Sequence, residues 1–312
     1  MTENWIPIIG AVDISENGAI AFKGGQQSSP EGSVNYNFAL VMNSASFGGG
    51  TISADITFLS PVTSESTAGV ILYRHPENDA FTVAQLGGTD LCSVWTFFSG
   101  GAQPKASPWT RHGGAGQGTT LTPNRTYTLH VDVAGSNVAM TLDGVKVSNI
   151  TLPYSLPRGN TGLWYRGPTD VKISNFTVKK ITPKVFVVMQ FTPPYNDLFH
   201  DVIEPVCTSL NLDAQRADDI YGPGVIIKDI ERQLLEARII VADITPQNLN
   251  VYYEVGYAHA LKKDTILIAE KPADLPFDVS PFRVLLYENT IAGKAKVEIG
   301  LRKHLEAIIG RP

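Results

Sequence analysis

This sequence is poor in charge, in cysteine and in long apolar runs, and each shortage excludes a class of protein. Charged residues make up only 18% of the 312 residues, and the formal net charge is -5. A negative net charge argues against non-specific electrostatic binding to nucleic acid or to an anionic membrane. No apolar run approaches the roughly 18 residues that a membrane span needs. We therefore expect a soluble protein without a nucleic-acid or membrane partner, and the presence of only two cysteines, about 115 residues apart, leads us to expect a reducing cytoplasm.

Several familiar site motifs are also missing. The apolar strands are not followed by GxGxxG, and the chain has neither a GxxxxGK[ST] phosphate loop nor a GxSxG nucleophile elbow. The two cysteines, Cys92 and Cys207, have no metal-ligand spacing and no evident base beside them. No metal or cofactor is indicated, and the chemistry that remains is that of carboxylates.

Composition changes near residue 182, which predicts two domains. The first 182 residues hold 22 of the 28 glycines but only 23 charged residues, whereas the last 130 hold 6 glycines and 32 charged residues. The junction, "VKKITPKVFVVMQF", is short. We expect domains at 1–181 and 183–312 that are closely coupled rather than loosely tethered.

The first half alternates apolar and polar residues with a period of two. "TISADITF" and "TYTLHVDV" have this pattern, and Asp143-Gly144 between two short runs predicts a hairpin turn. Many short strands with glycine-rich turns predict an all-β sandwich of the jelly-roll type. The order of these segments, with "AGVILYR" in the middle and "GNTGLWYRG" near the end, resembles the concanavalin-A-like lectin and laminin-G-like sandwiches. The resemblance implies a glycan, protein or signal ligand for this domain.

Sugar-binding faces usually expose aromatic rings. Trp95 and Trp164 lie in apolar strands, so we expect core positions for both, while the loop residue Trp109 is open to either role. Tyr73 and Tyr165 are further candidates. No pair of acids has a glycosidase spacing, so this half is not predicted to be an enzyme.

The second half alternates strands with helices. "KVFVVMQF", "RIIVADI" and "TILIAE" read as parallel strands that are covered on both faces. We predict a doubly wound, flavodoxin-like α/β domain of about five parallel strands. Ligands of such sheets bind at the carboxyl ends of the strands. That rule places Gln190, Asp218, Asp243 and the loop "TPQNLN" on one rim.

One acid stands out in the helix "NVYYEVGYAHAL". This helix is apolar on nearly every side, and such helices are normally buried, yet it contains Glu254. With Asn250 as the N-cap, Glu254 takes about the fourth helical position, where the helix dipole favours its charge and burial opposes it. It could face the anomeric carbon of a sugar, or it could pair with Arg216 or Arg283.

The segment "ADITPQNLNVYYEVGYAHAL" resembles the signature of the nucleoside 2-deoxyribosyltransferase-like and TIR-like proteins. The resemblance spans about residues 183–310 and includes "MQF", "YNDLF", "RADDI" and "IIKDI". It implies that Glu254 is the catalytic carboxylate at an N-glycosidic bond and that Asp229 assists. The substrate-binding residues it implies are Gln190, Phe191, Asp218, Asp243, Asn248, Tyr253 and Tyr257.

The resemblance implies an N-glycosidase that splits the nicotinamide–ribose bond of NAD, in a TIR-like effector of the kind that could serve antiphage defence. NAD would then be a substrate rather than a cofactor, and a homo-oligomer is expected because the related enzymes build their sites across subunits. Two alternatives stay open. One is a nucleoside 2-deoxyribosyltransferase or another nucleoside or nucleotide N-glycosidase, and the other is a nucleotide-binding signalling module without catalysis.

Overall fold

A β-sandwich occupies the first part of the chain. The computed structural model describes residues 4–28, 34–75, 77, 79–98, 107–193, 195–217, 226–272 and 282–310. The sandwich strands are β1 (Trp5–Ile9), β2 (Val12–Ile14), β3 (Ile20–Phe22), β4 (Gln26–Ser28), β5 (Val34–Tyr36), β6 (Phe38–Phe47), β7 (Gly50–Phe58), β8 (Thr67–Arg74), β9 (Phe81–Gly87), β10 (Cys92–Phe97), β11 (Trp109–Ala115), β12 (Thr126–Ala134), β13 (Asn137–Leu142), β14 (Val145–Thr151), β15 (Gly159–Arg166) and β16 (Val171–Lys180). A single 3-10 turn, Gly118–Thr120, lies between β11 and β12.

Two antiparallel sheets of seven strands face each other. The first has the order β1-β6-β15-β8-β9-β10-β11, and the second has the order β14-β13-β12-β7-β16-β3-β2. Strand β7 shows why they pack: every second side chain, from Ile52 to Phe58, is fully buried between the sheets. Asp143 and Gly144 have positive φ angles of 48° and 81° at the turn between β13 and β14. The predicted all-β sandwich is confirmed.

A parallel sheet with helices follows. Its strands are β17 (Lys184–Val188), β18 (Asp213–Arg216), β19 (Ile239–Asp243), β20 (Asp264–Glu270) and β21 (Val284–Tyr287). The helices are α1 (Tyr195–Leu198), which continues through a π-helical turn at Phe199–Ile203 into α2 (Glu204–Ser209), then α3 (Ile226–Glu236), α4 (Leu249–Ala260) and α5 (Ile291–Ile309).

Alternation along β17 explains how the helices cover this sheet. The sheet order is β18-β17-β19-β20-β21, and all its pairings are parallel. Val185 and Val187 pack against α1, α2 and α5, while Phe186 and Val188 pack against α3 and α4 on the opposite face. The predicted parallel α/β sheet is confirmed. No helix in the described parts of the chain is both long enough and apolar enough to cross a membrane.

The two parts meet where α3 ends. The Lys263 ammonium is buried and donates to the carbonyl oxygens of Leu235 (2.7 Å) and Ala237 (2.9 Å), and also to Ser155 Oγ of the sandwich (3.2 Å). The Ser136 N–H donates to the same Leu235 oxygen at 3.0 Å. Carbonyls at a helix end lack partners within the helix, so these donors satisfy them across the junction.

Candidate functional site

A cleft of about 640 Å³ opens at the carboxyl ends of β17 and β18, beside the start of α4. Strand β17 lies between β18 and β19, so the chain continues from β17 to one neighbour and later adds the other on the opposite side. Open α/β sheets bind ligands at the point where the strand order reverses in this way. Its lining residues are Met189, Gln190, Phe191, Ala217, Ile227, Ile230, Asn248, Asn250, Val251, Tyr253 and Glu254. We call this the α4 cleft.

Glu254 is the acid of the α4 cleft. It is the sixth residue of α4 and is 9% exposed, and burial raises the pKa of its carboxyl to about 7. The ion pair with Arg216 or Arg283 considered above is absent among the described residues. Arg216 instead donates to Asn196 Oδ1 at 3.0 Å, and its guanidinium lies 4.6 Å from the centre of the Phe199 ring. Within the described parts of the chain, Glu254 is therefore a buried acid without a counter-ion.

The helix begins two residues earlier than expected. Asn248, not Asn250, is the N-cap: its backbone is extended (φ -128°, ψ 122°), and its Oδ1 accepts from the Asn250 N–H at 2.9 Å. The expectation for Asn250 was wrong because that residue already lies in the first turn, and its N–H is one of those that a cap must satisfy.

The predicted site residues divide into two groups. Gln190, Phe191, Asn248 and Tyr253 line the α4 cleft together with Glu254. Asp229, Asp243 and Tyr257 are not among its lining residues. Asp218 lies outside the described residues.

Each residue of the second group has a local reason for its place. Asp229 accepts from Arg232, one helical turn away, at 2.8 Å. Asp243, on a strand inside the sheet, is fully buried and accepts from the Thr245 N–H and hydroxyl and, at 3.3 Å, from the Tyr287 hydroxyl. Burial raises the pKa of Asp243 to about 7. Tyr257 instead stacks against a neighbouring tyrosine of α4.

A second site lies on the outer face of the first sandwich sheet. Trp109 lies 5.3 Å from Trp164 and 5.1 Å from Phe97 between ring centres, and Trp164 lies 5.3 Å from Phe81. Trp95 packs beside them. The Val94 side chain lies between the sheets, so alternation along β10 directs Trp95 and Phe97 outward.

One of the two tryptophan expectations is confirmed. Trp164 was expected in the core, and it is 4% exposed within an apolar cluster on the outer face of the sheet. Trp95 was also expected in the core, but it is only half-buried beside that cluster. Tyr73 and Tyr165 do lie between the sheets. The alternation of β10 could have shown that Trp95 and Val94 face opposite ways, but which of the two faces the other sheet depends on the packing.

The outer-face rings wall a cavity of about 350 Å³. Its lining residues are Ser64, Glu65, Thr67, Gln85, Gly88, Thr89, Trp95, Ser107, Trp109, Trp164 and Arg166. Arg166 Nη1 donates to Glu65 Oε2 at 2.9 Å. Thr67 Oγ1 and Trp164 Nε1 are buried and have no hydrogen-bond partner in the described structure. We call this the outer-face cavity.

The chemistry of the two sites differs. The outer-face cavity combines aromatic surface with the partly exposed ion pair of Arg166 and Glu65, which suits a ligand with both C–H faces and hydroxyls. The α4 cleft offers an acid that titrates near neutral pH. Among the described residues, no group of three or more His, Cys, Asp or Glu side chains could hold a metal ion.

Comparisons with known proteins find structural likeness only. No family model and no curated protein matches the chain. The carbohydrate-binding module CBM66 from Bacillus subtilis is similar at 16% identity and TM-score 0.43, covering 55% of this chain and 93% of that chain. The Bacillus licheniformis β-glucanase is similar at 12% identity and TM-score 0.37, and the match covers 56% of this chain and 90% of that chain. A prokaryotic β-1,3-1,4-glucanase (lichenase) derived from a mouse hindgut metagenome is similar at 11% identity and TM-score 0.37. That match covers 55% of this chain and 89% of the glucanase.

These findings contradict the function predicted from the sequence. The similar solved structures are a carbohydrate-binding module and glucanases, whereas cleavage of NAD or of a nucleoside was expected. The prediction of an NAD N-glycosidase was therefore wrong. The TIR-like resemblance of the second half has no support from these comparisons.

Proposed function

We propose that this protein binds carbohydrate in the outer-face cavity. The observation that carries the proposal is the lining of that cavity, where the half-buried rings of Trp95 and Trp109 stand beside the ion pair of Arg166 and Glu65. Aromatic rings provide an apolar surface, and the ion pair provides hydrogen-bond donors and acceptors at the same place.

The remaining walls match the other features of a sugar. The rings of Trp95 and Trp109 are half-buried and offer flat apolar surface to the C–H face of a pyranose or furanose. Arg166 and Glu65 are paired and partly exposed, so together they present donors and acceptors without a net charge. That combination favours a neutral sugar with neighbouring hydroxyls over an acidic one.

Binding is better supported than hydrolysis at this face. Glycoside hydrolysis generally uses two carboxyl groups about 5–9.5 Å apart. Among the described residues, the cavity lining contains one acid, Glu65, and Arg166 already neutralises it. A paired carboxylate is a poor proton donor, so the outer-face cavity is proposed as a binding site.

The α4 cleft supports a second candidate function. We propose that Glu254 transfers a proton to or from a ligand of this cleft, because its carboxyl lines the cleft and is buried, has no ion-pair partner among the described residues, and is raised in pKa to about 7. A group that titrates near the working pH is present both as acid and as base, as general acid–base catalysis requires. Asn248 and Tyr253 border the same space and would orient the ligand.

Glycan binding is tested with the full chain on an array of neutral and acidic glycans, followed by calorimetry on the ligands found. Trp109→Ala should weaken binding at least about tenfold, or roughly 1.4 kcal/mol, because it removes one stacking wall. The matched control is Val145→Ala, a 64% exposed position in the second sheet. If Trp109→Ala folds normally and binds as tightly as the control, the outer-face cavity is not the glycan site.

A further inference from the structure

A second cavity, of about 520 Å³, lies at the edge of the sandwich beside β5. The residues that matter in its lining are Lys23, Gln27, Asn35, Tyr36, Asn37 and Phe38. Three amide side chains, one ammonium and one phenol ring surround the same space. We call it the β5 cavity.

The β5 cavity adjoins the outer-face cavity through one pair of residues. Phe38 on β6 lies directly opposite Arg166 on β15, so both side chains project from the same face of the sheet. The Phe38 ring lies 6.3 Å from the Trp164 ring, which belongs to the outer-face cavity. The Arg166 guanidinium lies 5.1 Å from the centre of the Tyr36 ring, which belongs to the β5 cavity.

Arg166 therefore stands between the two spaces. Its Nη1 donates to Glu65 on the side of the outer-face cavity, and its guanidinium carbon lies over the Tyr36 ring on the other side. A guanidinium has several N–H donors, so one that borders both spaces can donate to ligand hydroxyl groups in either of them.

The polar groups of the β5 cavity are compatible with a neutral ligand. Lys23 is paired with Asp170 at 3.3 Å, and Asn37 Nδ2 donates to the Lys23 carbonyl at 3.2 Å. Gln27 and Asn35 face each other across the β4–β5 pair and are exposed. Amide side chains offer both donors and acceptors, which hydroxyl groups require.

We propose that the two cavities are adjacent subsites of one groove that holds a linear oligosaccharide across the sheet. From Trp95 on β10 to Phe38 on β6 the groove crosses four strand spacings, or about 19 Å at the usual spacing of about 4.8 Å. A groove of this length holds more than a disaccharide. This inference rests on the proposed function, since it extends the glycan beyond the outer-face cavity.

The test is calorimetry with defined oligosaccharides of two to six residues, in a β-linked glucose series and an inulin-type fructose series. In the series that binds, the wild-type protein should bind the hexasaccharide at least about tenfold more tightly than the disaccharide. Tyr36→Ala should abolish that gain, so that this variant binds the hexasaccharide no more tightly than the disaccharide. Trp109→Ala should weaken both ligands, and Val145→Ala neither.

Gln27→Ala gives a second variant, in an exposed side chain, in case Tyr36→Ala disturbs the hairpin. It should reduce the hexasaccharide gain at least about threefold. Affinity that does not depend on chain length, or a gain that survives both substitutions, overturns the groove while Trp109-dependent binding keeps the proposed function intact. If neither these oligosaccharides nor any glycan of the array binds in a Trp109-dependent way, the proposed function falls, and the groove falls with it.

Discussion

Glu254→Gln should change how the stability of the α/β domain depends on pH. Burial raises the pKa of Glu254 from 4.5 to about 7, so the folded chain binds more protons than the unfolded chain between those values. The stability that this carboxyl contributes is therefore present in acid and is lost as the pH rises through 7. At about 1.36 kcal/mol per pKa unit, the loss amounts to about 3 kcal/mol in total, most of it between pH 5 and pH 8.5.

Glutamine keeps the size of the side chain and has no charge to desolvate. At each pH, the free energy of unfolding of Glu254→Gln is compared with that of wild type. This difference should be about 2–3 kcal/mol more favourable to the variant at pH 8.5 than at pH 5. Other buried acids, such as Asp243, are common to both proteins and cancel in the comparison.

The sandwich and the parallel-sheet part of the chain carry different spectroscopic signals, so the unfolding of each can be followed in urea. Its four tryptophans all precede residue 182, and the α-helices of the described residues all follow it. Circular dichroism at 222 nm therefore reports the α/β domain, and tryptophan fluorescence reports the sandwich. The matched control is Glu306→Gln, at an exposed position of α5, which should shift stability equally at both pH values.

Two results would refute this reasoning. If Glu254→Gln differs from wild type by the same amount at pH 5 and pH 8.5, the carboxyl is not desolvated. If the variant loses more than about 1 kcal/mol at pH 8.5, the carboxylate makes a stabilising bond, and its proposed role as a free acid in the α4 cleft is lost.

Further predictions concern the junction between the domains. Desolvation lowers the pKa of Lys263 to about 7, so the unfolded chain binds more protons above that pH. This lysine alone should therefore contribute a rise in the free energy of unfolding of about 3 kcal/mol from pH 7 to pH 9.5. Lys263→Met should remove most of that rise in urea unfolding followed at 222 nm, and an unchanged rise would place its origin elsewhere. Gly135→Ala would bring a methyl within 2.5–2.7 Å of three carbonyl oxygens at the end of α3, whereas Gly144→Ala, also at positive φ, meets nothing within 4 Å. Gly135→Ala should therefore destabilise the protein by about 1–3 kcal/mol more than Gly144→Ala, and equal effects would show that the junction is loose.

Local pattern was enough to predict the architecture. Alternation with a period of two predicted strands such as β7 and β12, and continuous apolar runs predicted the parallel strands β17, β19 and β20. The apolar surroundings of Glu254 predicted a buried acid. These inferences succeed because the spacing of side chains along a strand or helix is set by the backbone itself.

Position in space required the tertiary structure. Alternation shows that Val94 and Trp95 face opposite ways, but only the packing of the second sheet decides that Val94 is inside and that Trp95 is on the outer face. Likewise, Phe38 and Arg166 lie 128 residues apart in sequence and become neighbours because β6 pairs with β15. Asp243 lies at the carboxyl end of its strand, where ligands of such sheets bind, yet its carboxyl accepts hydrogen bonds from the Thr245 and Tyr287 hydroxyls instead. Pairing between distant strands brings these groups together, and it depends on the fit of the whole core rather than on any local repeat.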